Sequence, residues 1–165
     1  MTAGERMAIA SPPDDIDRIM AVMETAFPPE YGEAWNRRQV IDALLVGNCR
    51  YGLIAPDGSD HFDAATETAG FYMGRGILDE EELLLFAIAP QYRRRGLGHT
   101  LLTRFLAEAR ANGMDRVFLE MRRDNPAGHL YLAHGFRQIG MRPGYYRTPS
   151  GGRIDAISQE LLLNP

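Results

Sequence analysis

Apolar positions recur along this chain in two rhythms, one helical and one extended, and the switches between them outline an α/β domain. Ile16, Ile19, Met20, Met23 and Phe27 fall at helical spacing. Ser11-Pro12-Pro13-Asp14 supplies cap and first-turn chemistry ahead of them, and Pro28-Pro29 stops the run. A second helix is predicted over about Trp35 to Leu45. Strands follow at Cys49 to Ala55 and Gly70 to Gly76, separated by the turn signal Pro56-Asp57-Gly58 and the polar, loop-like segment Ser59 to Thr68. Leu83 to Ala89 is apolar at every position, the pattern of a strand covered on both faces. The acidic cluster Asp79-Glu80-Glu81-Glu82 before it reads as a solvated turn. Gly96 to Ala111 is an amphipathic helix with Leu101, Leu102, Phe105, Leu106 and Ala109 on one stripe and Arg104, Glu108 and Arg110 facing away; Asn112-Gly113 ends it. Val117 to Met121 is the next strand, Ala127 to His134 a short helix stopped by Gly135, and Arg137 to Tyr146 and Arg153 to Leu162 a closing pair of strands. Met7 to Ala10 is a candidate first strand.

Composition narrows the class. With 165 residues, 45% hydrophobic and 24% charged, the chain fits one globular domain, 1–165, with a proper core. A net charge of −4 provides no global field for nucleic acid and favours, if anything, a cationic partner. The single cysteine, Cys49, cannot form an internal disulfide and reads as a small buried hydrophobe in its strand. No apolar run approaches the roughly 20 residues of a membrane span, and Met1 to Pro13 lacks the apolar core of a signal peptide, so the expectation is a cytoplasmic protein without membrane contact. His61, His99, His129 and His134 show no metal-ligand spacing with cysteine or acidic partners, so no metal is expected.

The most informative stretch joins the apolar strand to the amphipathic helix: Pro90-Gln91-Tyr92-Arg93-Arg94-Arg95-Gly96-Leu97-Gly98. Gly96 and Gly98 let backbone N–H groups approach a ligand without interference from Cβ. The helix start behind them adds unpaired donors and a partial positive charge. Such a loop suits a pyrophosphate, and the arginines suit a further phosphate. The other reading is a solvated charge run beside a turn. The dinucleotide-binding fingerprint wants a third glycine and a later acidic residue, and a Walker Gly-Lys-Ser/Thr is absent.

Arg93-Arg94-Arg95-Gly96-Leu97-Gly98 resembles motif A of the GNAT superfamily of N-acetyltransferases, whose pattern is Gln/Arg-x-x-Gly-x-Gly/Ala. The similarity runs over roughly Glu82 to Leu162 and is closest to the bacterial ribosomal-protein-alanine N-acetyltransferases. Phe118-Leu119-Glu120-Met121-Arg122 resembles the strand that follows, Asn125-Pro126-Ala127 with Leu130-Tyr131 and Gly135-Phe136 the motif B helix, and Tyr145-Tyr146 with Gly152-Arg153 and Asp155-Ala156-Ile157 the C-terminal hairpin. In the first half it rests on the helices and Ala26-Phe27-Pro28. The resemblance implies a mixed, mostly antiparallel, twisted sheet of about six or seven strands flanked by helices, with a splayed gap between the fourth and fifth strands, counting residues 7–10 as the first. It implies acetyl-CoA as cosubstrate, its pyrophosphate on Arg93, Arg94, Arg95, Gly96, Leu97 and Gly98 with His99 and Thr100 at the helix start. Backbone groups of Ala87, Ile88 and Ala89 would align the pantetheine arm, with the Ile88 N–H polarising the thioester carbonyl.

Alternation along Val117 to Met121 puts Phe118 and Glu120 on one face and the three apolar residues on the other. A carboxylate there has two readings: an ion-pair partner of Arg122 or Arg123, or a general base for an amine, which must lose its proton before attacking a thioester. The resemblance favours the base. It also makes Tyr131, otherwise a core aromatic, the general acid that protonates the departing thiolate, and makes Asn125, otherwise a helix cap before Pro126, a hydrogen-bond partner of the cofactor. The family usually has one more residue between its Asn and Tyr; the loop is expected to absorb the loss. The implied acceptor is the N-terminal α-amine of a protein, easier to deprotonate than lysine. A small amine is the alternative acceptor, and a non-catalytic acyl-CoA-binding regulator the alternative class. The residues give no oligomeric state.

Overall fold

The computed structural model describes residues 14–164; the candidate strand at Met7 to Ala10 and the cap candidates Ser11 to Pro13 lie outside them. Helix α1 (Asp15–Ala26) is started by Asp14 in a reciprocal capping box with Asp17. Asn36 and Gln39 repeat that device at α2 (Arg37–Leu45), so Trp35 lies ahead of the helix, not in it. Six strands follow: β1 (Cys49–Ile54), β2 (Gly70–Ile77), β3 (Glu80–Ile88), β4 (Arg116–Arg122), β5 (Arg137–Arg147) and β6 (Arg153–Leu162). Helix α3 (Leu97–Ala111) connects β3 to β4, and the short α4 (Gly128–Ala133) connects β4 to β5. The sheet order is β1-β2-β3-β4-β6-β5, antiparallel except where β3 meets β4. This is the mixed, mostly antiparallel sheet expected.

Two apolar layers cover the sheet. On one face α1 and α2 bury Ile19, Met23 and Val40 against Phe71, Met73, Leu85 and Ala87. On the other, the predicted stripe of α3 (Leu101, Leu102, Phe105, Leu106 and Ala109) is buried with Val117, Leu119, Met121 and Ile157. The all-apolar run 83–89 therefore feeds both layers, as a doubly covered strand should. A bulge lies inside it: Met73 pairs with Leu85 and Gly74 with Leu83, leaving Leu84 unpaired.

Three expectations are corrected. Glu80, Glu81 and Glu82 are strand, not turn. Glu81 is only 2% exposed because Arg50 on β1 meets its two carboxylate oxygens at 2.7 and 3.0 Å. Arg104 and Glu108 do not simply face solvent. Arg104 donates to the carbonyl of Gly58 at 2.9 Å, and Glu108 accepts from Arg50 at 2.6 Å and Tyr72 at 2.5 Å. Cys49 is half-buried, and burial pushes its thiol up, away from the thiolate a nucleophile needs. The polar segment 59–68 is a loop, held by Arg18, which donates to the carbonyls of Thr66 and Asp63 at 2.7 and 2.8 Å.

Candidate active site

The parallel ladder between β3 and β4 is three pairs long, Glu80↔Arg116 to Glu82↔Phe118, and then stops. Beyond it Leu83–Ile88 and Leu119–Arg122 diverge, which is the splayed gap expected between these strands. The backbone on the β3 side is aimed into it. Ala89 N–H donates to Ala69 O at 2.8 Å, so by the alternation of an antiparallel ladder Ala87 also bonds β2, while Phe86 and Ile88 turn their N–H and C=O groups the other way. A cavity of about 520 Å³ opens along the gap, lined by Leu83 to Phe86 on β3 and by Leu119, Glu120 and Met121 on β4.

At the end of β3 the chain turns through Pro90–Tyr92 into the arginine loop. Arg94 (φ 62°) and Gly96 (φ 77°) both adopt left-handed backbone, and α3 begins at Leu97 with Gly96 as an N-cap that offers no side chain. Thr100 N–H bonds back to Gly96 O at 3.1 Å, so the preceding donors of Leu97, Gly98 and His99 form the open end of the helix. Arg94 and Arg95 are exposed. Arg93 has a different employment: it donates to Ile88 O at 2.9 Å and Ala26 O at 3.0 Å, fixing the loop to β3 and to the end of α1. Gly98 also serves packing, since a Cβ there would stand 3.3 Å from Leu130. His99 is exposed, its ring 4.7 Å from that of His134. Thr100 Oγ1 donates to Gly96 O at 3.2 Å.

Glu120, Asn125 and Tyr131 all line the one cavity. Glu120 Oε2 receives Arg142 Nε at 3.1 Å and Ser158 Oγ at 3.5 Å, so its ion-pair partner comes from β5, not from Arg122 or Arg123 next to it in sequence. Asn125 caps a turn one step before the helix, its Oδ1 accepting from Ala127 N–H at 2.9 Å; α4 starts only at Gly128. Tyr131 is packed between Phe86 and Phe136, ring centroids 6.1 and 5.7 Å away. Its hydroxyl makes no hydrogen bond among the described residues, and burial pushes the phenol well above its ordinary value. It is thus a donor that holds its proton at neutral pH.

The far wall was not foreseen. The α1–α2 connector contributes Tyr31 and Glu33, and β5 contributes Tyr145, Tyr146 and Arg147. Glu33 pairs with Arg122, which also pairs with Asp124 and lies 3.7 Å from the ring centroid of Tyr31. Burial pushes the Glu33 carboxyl up, against the pull of Arg122. It also pushes up the Tyr146 phenol, with Glu33 and Glu120 adding to the rise.

The open backbone of β3, the uncapped helix end and the exposed arginines fit a long phosphate-bearing thioester: donors for phosphates at one end, an extended edge for an amide-containing arm, and a carboxylate and a phenol at the other. Comparison with known proteins agrees. The profile of the acetyltransferase (GNAT) family matches residues 16–136. A ribosomal protein bS18-alanine N-acetyltransferase of Haemophilus influenzae is 38% identical over 94 residues, 57% of this chain and 64% of the relative. Its Escherichia coli counterpart is 38% identical over 97 residues, 58% of this chain and 65% of the relative. The matches thus span just under two thirds of those relatives. The crystal structure of the ribosomal-protein-S18-alanine N-acetyltransferase from Escherichia coli superposes with a TM-score of 0.73 at 27% identity, covering 94% of this chain and 93% of that one.

Proposed function

The chain belongs to the acetyltransferase (GNAT) family, and from that membership we propose that it transfers the acetyl group of acetyl-CoA to the N-terminal α-amine of a protein, in a ternary complex. The observation that carries the reading is that Glu120 and Tyr131 line one cavity, at the place where β3 and β4 part. Acetyl-CoA supplies the acetyl group as a thioester. The donors of Leu97, Gly98 and His99 hold its phosphates with Arg94 and Arg95, and Arg93 keeps the loop in place. The Ile88 N–H, aimed into the gap, donates to the carbonyl oxygen as charge develops there. Glu120 accepts the proton that the acceptor nitrogen gives up as it bonds to the acetyl carbon. Tyr131 donates to the sulfur as the carbon–sulfur bond breaks. Because burial raises its pKa, full proton transfer to a thiolate near 8.5 is uphill, and a hydrogen bond to the developing charge is the larger part of its role.

An α-amine acceptor is supported by the relatives, named for a protein N-terminal alanine, and by chemistry: such an amine, near 7.7–8.0, is far more readily deprotonated than lysine at 10.4. A ribosomal protein acceptor would place the reaction in the cytoplasm; among the described residues no helix is long and apolar enough to cross a membrane. The test is a peptide with a free N-terminal alanine and an internal lysine, incubated with acetyl-CoA and fragmented in a mass spectrometer. Acetyl on the α-amine, with turnover lowered about 10²-fold or more by Glu120→Gln, is expected. Acetyl on lysine alone, or undiminished turnover in the variant, overturns the reading.

A further inference from the structure

At the end of β3 remote from the arginine loop, four large aliphatic side chains stand in water: Leu45, Val46, Ile77 and Leu78. They adjoin one another. The β1–β2 ladder opens at Cys49↔Arg75, and Gly76 N–H donates to Asn48 O at 2.8 Å, so the chain leaving α2 runs beside the β2–β3 turn. Together the four expose roughly 500 Å², the upper part of the range for the largest apolar patch on a monomer. Leu78 is the most telling of them. Ile77 pairs with Glu80, so Leu78 and Asp79 form a two-residue turn, and Leu78 adopts φ 59° while 94% exposed. Such a turn favours Gly or Asn; a leucine there is strained and gains almost no packing within the chain. A local rule broken without compensation inside the molecule marks a side chain used outside it.

Beside this knob lies a hole. A groove of about 310 Å³ is lined by Leu78 together with Gly47, Asn48, Gly76, Asn112 and Met114. A Cβ on Gly76 would stand 3.6 Å from Met114 and 3.8 Å from Asn48 O, ordinary contacts, so packing within the chain does not require the hollow. A knob and a hole side by side are what a two-fold axis needs, since each copy then offers both halves of the contact. The charges fit the same symmetry. Asp79 and Asp115, linked by the bond from Asp115 N–H to Asp79 O at 2.7 Å, are exposed, as is Arg110 in the last turn of α3. None of the three forms an ion pair among the described residues. A second copy of the same face can match both signs, whereas a partner of one sign matches only one of them. We propose that this face pairs two copies of the chain about a two-fold axis, each Leu78 entering the groove of the other copy. Two patches bring together roughly 1,000 Å², the scale of a weak specific interface. Glu80 at the hairpin and Ile88 at the gap are roughly 25 Å apart along β3, so both coenzyme clefts of the dimer stay open.

The test is sedimentation equilibrium of the full chain from about 1 to 200 µM, the concentrations at which an interface of this size associates. The mean mass is expected to rise with concentration towards twice that of the chain. Leu78→Gly suits the left-handed turn and removes the knob; its dissociation constant should rise about 100-fold or more, because the loss counts twice across a two-fold axis. Gly76→Leu fills the groove from within and should weaken the dimer in the same way. Circular dichroism reports whether each variant is folded, and Leu78→Gly, which relieves strain, keeps the assay decisive if Gly76→Leu does not fold. A chain that stays monomeric throughout overturns the proposal and leaves this face to a different protein. A dimer undiminished in folded Leu78→Gly overturns it as well, since the contact then lies elsewhere.

Discussion

Arg50→Met is the perturbation whose consequence the structure defines most closely. Arg50 leaves β1 and meets four groups: both oxygens of Glu81 at 2.7 and 3.0 Å, Glu108 at 2.6 Å, the Tyr72 hydroxyl at 2.7 Å and the carbonyl of Phe105 at 3.0 Å. Its guanidinium carbon also lies 4.6 Å from the centroid of the Phe105 ring. Glu81 is 2% exposed, so removing its partner leaves a carboxylate in the core. Breaking a buried pair costs about 3–5 kcal/mol. Arg50 itself is 23% exposed and Glu108 47%. Water therefore takes over part of the lost interaction, and the Glu108 arm, on the scale of surface pairs, adds less than about 1 kcal/mol. A net loss of about 2–4 kcal/mol follows, which for a domain of this size lowers Tm by about 5–15 °C. Urea unfolding followed by circular dichroism measures it. The double variant Arg50→Met, Glu81→Leu isolates the cause, because an apolar pair has no charge to strand; it recovers most of the loss. A loss below about 1 kcal/mol in the single variant would refute the reasoning, as would a double variant no better than the single.

Tyr131→Phe separates chemistry from packing: the hydroxyl has no partner among the described residues, so stability should stay within about 0.5 kcal/mol while kcat falls about tenfold or more. A kcat near wild type would remove Tyr131 from the reaction. Glu160 is held below the ordinary carboxylate range by Arg116 and then Arg137, at 2.5 and 2.7 Å. A depressed folded pKa stabilises above the unfolded value and is lost as pH falls through the folded one. Glu160→Gln should therefore flatten the stability profile below about pH 5 and leave its slope at neutral pH unchanged. Stability curves in chemical denaturant at pH 7 and at successively lower pH check this, and an unaltered acid slope would count against it.

What was legible in the sequence was local. The arginine loop, the run 83–89, the α3 stripe and the alternation that isolates Glu120 are each contiguous, so periodicity and turn chemistry exposed them. What escaped depends on contacts between distant segments. Glu33 and Arg122 are 89 residues apart and meet only because the α1–α2 connector closes over the end of β4. Glu81 reads as a solvated acid until Arg50, 31 residues earlier, is known to face it. Glu120 receives Arg142 because the β5–β6 register shifts between Gln138 and Gly140, which brings Arg142 opposite Ala156 and onto the face of Glu120. Arg93 also donates to the carbonyls of Ile88 and Ala26, contacts with β3 and the end of α1 that its place in a charge run does not reveal. The shorter spacing from Asn125 to Tyr131 leaves both residues on the cavity.

Calorimetric titration with acetyl-CoA asks most directly whether the parted strands and the open end of α3 form a coenzyme site. One saturable site is expected, weakened about tenfold or more by Arg95→Glu, since Arg95 is exposed beside the loop with its guanidinium 5.6 Å from the Tyr92 ring centroid. No binding, or equal affinity in the variant, would contradict it.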